Sequence, residues 1–146
     1  MTTIISEIKV SYKPQETLGP VIDSSSTAAD ILRALYADEL IELREEFIVL
    51  FLNRANRVKG WSRISEGGFT GTVADPRIIM GIALKSASCS IILSHNHPSG
   101  SLKPSTADRE ITLKIKEAGY LLDNQVLNHI ILTCEGAMSF ADEGMM

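Results

Sequence analysis

The residues best suited to chemistry lie in one stretch, Ser94-His95-Asn96-His97-Pro98-Ser99-Gly100-Ser101-Leu102-Lys103-Pro104-Ser105-Thr106-Ala107-Asp108. Two of the chain's three histidines stand here, two residues apart, after the apolar run Ile91-Ile92-Leu93. Along an extended chain the side-chain period is two, so His95 and His97 project to the same side and can grip one ion. A catalytic zinc typically takes three protein ligands and leaves its fourth position to water. Asp108 is the natural third ligand. It falls near the start of a helix, three residues before Ile111 on the inward face. The helix dipole favours a carboxylate there, and burying it ionised is costly without a partner such as a metal.

The same residues have a plainer reading. Ser105-Thr106-Ala107-Asp108 fits the S/T-x-x-acid pattern of a capping box, with Asp in place of the usual Glu. Ser105 could cap while Asp108 reaches back, and the two roles can coexist. His129 is the remaining histidine. It stands either in the core, or behind the site, or in place of Asp108 as third ligand. A metal-activated water also needs a base. The candidates are Glu45 and Glu46, at the start of the apolar run Phe47-Ile48-Val49-Leu50-Phe51-Leu52. Strand periodicity puts Glu45 on the face of Phe47, Val49 and Phe51, and Glu46 on the face of Ile48, Leu50 and Leu52. Periodicity alone does not choose between the two faces, and either acid could simply be solvated.

These groups need a scaffold, and the patterning supplies one. Residues 4 to 12 alternate apolar and polar, which predicts an edge strand. Lys13 to Ser26, with Pro14, Gly19 and Pro20, is a loop. Ser26 or Thr27 caps a helix bearing Ala28, Ile31, Leu32 and Leu35 on one face. Phe47 to Leu52 has the unbroken apolar character of a central strand covered on both sides. Asn53 to Arg57 turns into a partner strand running from Val58 to Ser65 and closing at Glu66-Gly67-Gly68. Asp75-Pro76 opens a helix that is apolar almost all round and is therefore expected to be buried. Cys89 to Leu93 is the next strand and delivers His95 from its C-terminal end, where α/β sheets place their functional groups. A third helix runs from Ser105 to a stop at Gly119. Val126 to Thr133 is a final core strand, and Ser139-Phe140 adds a short piece. This order predicts an α/β fold with a mixed sheet flanked by helices.

Composition narrows the class. A chain of 146 residues, 45% hydrophobic and 22% charged, suits a single globular domain over 1–146. It has no membrane-length apolar run and no signal-peptide pattern at its start, which points to the cytoplasm. Cys89 and Cys134 are isolated among apolar residues and read as reduced, buried and inert. A net charge of −4 gives no general basic field for nucleic acid, so a local patch would have to supply one.

The spacing His95-x-His97, then Ser105 and Asp108, with a Glu upstream on a strand, resembles the JAMM (MPN+, JAB) metalloprotease motif. It is most similar to the RadC-like branch, through His-Asn-His-Pro-Ser-Gly at 95–100, Pro-Ser-x-x-Asp at 104–108, and Pro76-Arg77. The resemblance runs from about residue 45 to the end of the chain. It implies an α/β/α layered fold like that of cytidine deaminases, with Zn²⁺ held by His95, His97 and Asp108. It selects Glu45 as the general base and gives Ser105 a part in stabilising the oxyanion. The implied reaction is hydrolysis of a peptide or isopeptide bond. Two other functions stay open: binding or processing of nucleic acid in repair or a mobile element, and a non-catalytic scaffold. This chain has Asn128-His129 where RadC-like chains usually carry Asp-His. It has no room before residue 45 for the helix-hairpin-helix region of longer RadC proteins.

Overall fold

The computed structural model describes residues 3–14, 17, 19–67 and 74–146. Three helices among them are α1 (Ser25–Arg33), α2 (Pro76–Lys85) and α3 (Thr106–Leu121). The strands are β1 (Glu46–Leu52), β2 (Val58–Glu66), β3 (Ser90–Asn96), β4 (Gln125–Leu132) and β5 (Ala137–Ser139). They form one sheet in the order β2-β1-β3-β4-β5. The β3–β4 pairing is parallel and the others are antiparallel. The fold is the mixed α/β sheet flanked by helices that the patterning predicts. Among the described residues, no helix is long and apolar enough to cross a membrane.

The central strands β1 and β3 are buried at every position, as their unbroken apolar runs require. Alternate residues feed two cores. Phe47, Val49, Phe51, Ile91 and Leu93 pack with Ile79, Met80 and Ala83 of α2 and Ile115 of α3. Ile48, Leu50, Leu52, Ile92, Ile130 and Leu132 pack on the other side with Ala28 and Leu32 of α1 and with Tyr36. The sheet is thus sandwiched between α1 and the α2–α3 pair. The β1–β2 hairpin closes through Asn53, whose Oδ1 accepts from the backbone N–H groups of Ala55 and Arg57 at 2.9 and 3.0 Å. Asn56 takes the left-handed conformation there, with φ of 58°.

Several local expectations change. Residues 4 to 12 form no strand. Ile4 and Ile8 are 90% and 88% exposed, so their alternation has no core to face. The α1 cap is Ser24, whose Oγ accepts from the Thr27 N–H at 3.1 Å. Part of the preceding loop, at residues 15, 16 and 18, lies outside the described residues, as does Gly68 after β2. Helix α2 is capped by Asp75 with Pro76 in its first turn, as expected. It is buried on one side only: Ile78 and Leu84 are 50% and 54% exposed, because nothing among the described residues packs on its outer face. Cys89 is half-buried and Cys134 exposed, both free, so neither is a fully buried core thiol. A hydrogen bond with Glu42 raises the Cys134 pKa and keeps that thiol protonated.

Gly119 does not stop α3, which continues to Leu121. The turn is made further on, with Asp123 at φ 52°, and brings the chain back so that the Asn124 N–H donates to the Gly119 carbonyl at 2.8 Å. A Cβ at Gly119 would collide with the Asn124 carbonyl oxygen. Gly81, exposed in the middle of α2, has open space where a Cβ would go. Gly119→Ala is therefore expected to lower the urea midpoint. Gly81→Ala is expected to raise stability by about 0.5–1 kcal/mol through helix propensity. Equal responses from the two variants would contradict the close-approach assignment.

Candidate metal centre

The antiparallel register of β1 and β3 pairs Phe47 with His95. Continuing it two residues brings position 45 alongside position 97. Side-chain alternation then sets Glu45, His95 and His97 on one face of the sheet, the face covered by α2 and α3. Asp108 comes to the same point from the first turn of α3. The four ligand-type atoms of Glu45, His95, His97 and Asp108 all lie within 4.8 Å of one another, a grouping that could hold a metal ion.

The distances within the group are short. His95 Nε2 and His97 Nε2 are 2.9 Å apart. Asp108 spans both, with Oδ1 at 3.3 Å from His95 Nε2 and Oδ2 at 3.2 Å from His97 Nε2. Glu45 Oε1 stands further off, at 3.7 Å from His95 Nε2 and 3.9 Å from His97 Nε2. Four ligands around a tetrahedral ion at ~2.0–2.1 Å sit roughly 3.3 Å from each other, close to the His–Asp spacing seen here. The chemistry of the donors fits as well. His97 Nδ1 lies 2.7 Å from the Ser101 carbonyl, which can only accept, so Nδ1 carries a proton. The Nε2 of the neutral ring is then a bare lone pair, aimed at the His95 Nε2 and the Asp108 carboxylate. Such a convergence needs a cation or a shared proton at its centre. Burial works against ionising Asp108, yet His95 and His97, when protonated and charged at Nε2, hold its carboxyl well below the usual range. The hydrogen bond with Asp108 raises the His97 pKa in turn.

Ser105 is the N-cap of α3, and the capping box is complete. Ser105 Oγ accepts from the Asp108 N–H at 3.0 Å, and Asp108 Oδ2 accepts from the Ser105 N–H at 2.8 Å. The plainer reading of these two residues is therefore real, and it coexists with the cluster. One turn of helix both caps itself and aims a carboxylate at the histidines. Because Ser105 Oγ uses a lone pair for the cap, its hydroxyl proton can still be donated elsewhere. A cavity of about 180 Å³ opens beside the cluster, lined by Glu45, Phe47, Ala74, His95, Ala107, Asp108 and Ile111.

The two acids before β1 separate cleanly. Glu46 points to the opposite face, where Arg44 Nε at 3.2 Å and Arg63 Nε at 2.8 Å occupy its two carboxylate oxygens. Glu45 is the one brought to the histidines. His129 is not part of the converging group; its ring lies behind His95. Asn128, its neighbour, donates from Nδ2 to Ser139 Oγ at 2.8 Å and accepts at Oδ1 from the His129 backbone N–H at 2.8 Å, so the Asn-for-Asp departure falls on the His129 backbone and on β5.

One residue at the site is not singled out by the sequence. Asn96, fully buried between the two histidines, points to the other face of β3. Its Oδ1 accepts from the Glu46 N–H at 2.7 Å, and its Nδ2 donates to the carbonyls of Ile41 and Arg44 at 2.8 and 2.9 Å. Asn96 thus ties the segment that carries Glu45 to the strand that carries the histidines. Its signal in the sequence is an amide flanked by two ligand-type residues, where strand alternation sends it inward on the opposite face. Asn96→Ala strands three backbone groups and is expected to cost about 3 kcal/mol in chemical denaturation. Asn96→Asp, which offers the two carbonyls no N–H donor, is expected to do no better. A midpoint unchanged in both would refute the tie.

A mixed sheet between helices, with two imidazoles from a strand end and a carboxylate from the next helix, defines an α/β domain built around a candidate metal centre. The chain belongs to the family of the RadC-like JAB domain, whose model matches residues 22–145. It is similar to a UPF0758 protein of Flavobacterium johnsoniae, 48% identical over 101 residues, or 69% of this chain and 44% of that protein. A UPF0758 protein of Rubrobacter xylanophilus is 37% identical over 127 residues, 87% of this chain and 54% of that one. A third, from Trichodesmium erythraeum, is 36% identical over 134 residues, 90% of this chain and 54% of that one. The chain spans about half the length of the curated relatives it matches.

Proposed function

We propose that this domain is a zinc-dependent hydrolase of amide bonds, acting on a peptide or an isopeptide-linked protein. One observation carries the reading: two imidazole Nε2 atoms and both oxygens of one carboxylate converge within 3.3 Å contacts, with a second carboxylate just beyond. His95, His97 and Asp108 would hold the ion. Nitrogen and oxygen donors in this number suit zinc. The chemistry supplied by a bound zinc is Lewis acidity, which makes water acidic near neutral pH and draws charge from a carbonyl.

The chain's own groups account for the remaining needs of the reaction. Glu45 Oε1 stands 3.7–3.9 Å from the histidine nitrogens, further out than Asp108, which suits a base acting on water rather than a ligand. Its carboxylate takes the proton of the attacking water and delivers it to the amine nitrogen as the C–N bond breaks. The Ser105 hydroxyl donates its proton in a hydrogen bond to the carbonyl oxygen as charge develops there, while the lone pair in the helix cap holds it in place. Phe47, Ala74 and Ile111 give the adjoining cavity apolar walls. Membership of the JAB family supports the assignment.

Elemental analysis is expected to find about one zinc per chain in the wild type and none in Asp108→Ala. Glu45→Gln is expected to keep the metal and to lose at least 10²-fold in cleavage of a peptide and isopeptide panel, a loss in the range for a general base. A Glu45→Gln protein that cleaves at the full rate would remove Glu45 from the mechanism.

A further inference from the structure

His129 has no part in the converging group, yet it is completely buried and both its ring nitrogens are engaged. Its Nε2 lies 2.7 Å from His95 Nδ1, and its Nδ1 lies 2.6 Å from Thr112 Oγ1. Thr112 is one helical turn beyond Asp108 on α3, and its Oγ1 is 2.6 Å from the Asp108 carbonyl oxygen. The ring of His129 is stacked on Phe140 at 4.6 Å and meets Phe47 edge-on at 5.5 Å, so it has little freedom to turn.

The proton positions along this chain follow from its last link. A carbonyl oxygen only accepts, so the single Thr112 hydroxyl proton must lie toward Asp108. If it pointed to His129 instead, two lone-pair oxygens would face each other at 2.6 Å. Thr112 Oγ1 therefore accepts from His129, which places the His129 proton on Nδ1. A neutral His129 then has a bare Nε2, and it can only accept from His95 Nδ1–H. A doubly protonated His129 would reverse this last bond, but it would put a charge in a site walled by two phenyl rings. His95 is left with its proton on Nδ1 and its lone pair on Nε2, the atom 2.9 Å from His97 Nε2 and 3.3 Å from Asp108.

We propose that Thr112 and His129 are positioning residues that set the tautomer of His95, through a one-way hydrogen-bond relay anchored on the backbone carbonyl of Asp108. The inference rests on the metal reading above for its purpose, since the relay presents the His95 lone pair to the cation. Its geometry stands independently of that reading. The relay also joins two proposed ligands, because the residue that ends it is the one whose carboxylate spans the two histidines. His97 achieves the same end by a single bond to the Ser101 carbonyl. His95, buried in the sheet, has His129 as its Nδ1 partner and reaches an oxygen acceptor through that ring and Thr112. Metal-ligating histidines generally donate their second nitrogen to an oxygen acceptor that fixes the ring; here a second histidine is interposed.

The test uses ¹⁵N-histidine-labelled protein in long-range ¹H–¹⁵N correlation spectra, with and without zinc, and zinc affinity by competition with a chromophoric chelator. The variants are Thr112→Val, which keeps the shape but removes the hydroxyl, and Thr112→Ser, which restores it. Circular dichroism confirms that each variant is folded. In zinc-free wild type, above the histidine titration range, His95 is expected to show a protonated Nδ1 and an unprotonated Nε2. His129 is expected to show a protonated Nδ1. Thr112→Val is expected to mix or reverse the His95 tautomer and to weaken zinc binding roughly 10- to 100-fold, the range for lost outer partners of a metal ligand. Thr112→Ser is expected to recover both. A His95 proton on Nε2 in the zinc-free wild type would overturn the relay. So would a Thr112→Val protein with wild-type tautomers and affinity. Correct tautomers in a protein that binds no zinc would uphold the relay and count against the metal reading alone.

Discussion

Each imidazole in the cluster has two nitrogens, and the fold spends one of them before any ligand arrives. His97 gives its Nδ1 proton to the Ser101 carbonyl, and His95 has its Nδ1 directed at His129. What remains are two Nε2 atoms 2.9 Å apart, facing a carboxylate that reaches both. Lone pairs do not collect this way in a protein core without a positive charge among them. The rest of the architecture is explained by the need to bring these atoms together and keep them there.

The sheet does so by parity. Pairing Phe47 with His95 places the residue before β1 and the residue after β3 on a common face, and the same parity turns Glu46 and Asn96 to the other. The two buried residues on that opposite face are then used as fastenings. Glu46 is clamped by Arg44 and Arg63, and Asn96 holds the chain around residues 41 to 46 by three hydrogen bonds. Helix α3 contributes its first turn twice over. Asp108 Oδ2 accepts from the Ser105 N–H and stands 3.2 Å from His97 Nε2, so the interaction that starts the helix also orients the carboxylate. A cap and a ligand-type group are usually read as rivals; in this turn the first is the means of positioning the second.

Much of this was legible in the residues. Apolar runs marked β1 and β3 as covered on both sides, and the histidine pair and Asp108 marked the place where strand and helix meet. Other features depended on partners that local pattern does not contain. The alternation in residues 4 to 12 predicts a strand, but alternation has force only where one face is buried, and Ile4 and Ile8 meet solvent. Gly119 has the look of a helix stop, yet its lack of a side chain serves the returning Asn124 carbonyl. The choice between Glu45 and Glu46 required the register across β1 and β3, which periodicity along one strand cannot supply. Asn96 and Thr112 are ordinary polar residues in the sequence. Their meaning lies in atoms 17 to 55 residues away that only the tertiary structure brings within reach.

The central claim is that His95, His97 and Asp108 form one mononuclear site for zinc. Zinc K-edge X-ray absorption on the loaded protein tests it directly. The account predicts a first shell of nitrogen and oxygen at ~2.0–2.1 Å with outer-shell scattering from two imidazole rings and none from sulfur. A sulfur shell at ~2.3 Å, or a spectrum without imidazole scattering, would place the ion elsewhere and contradict it.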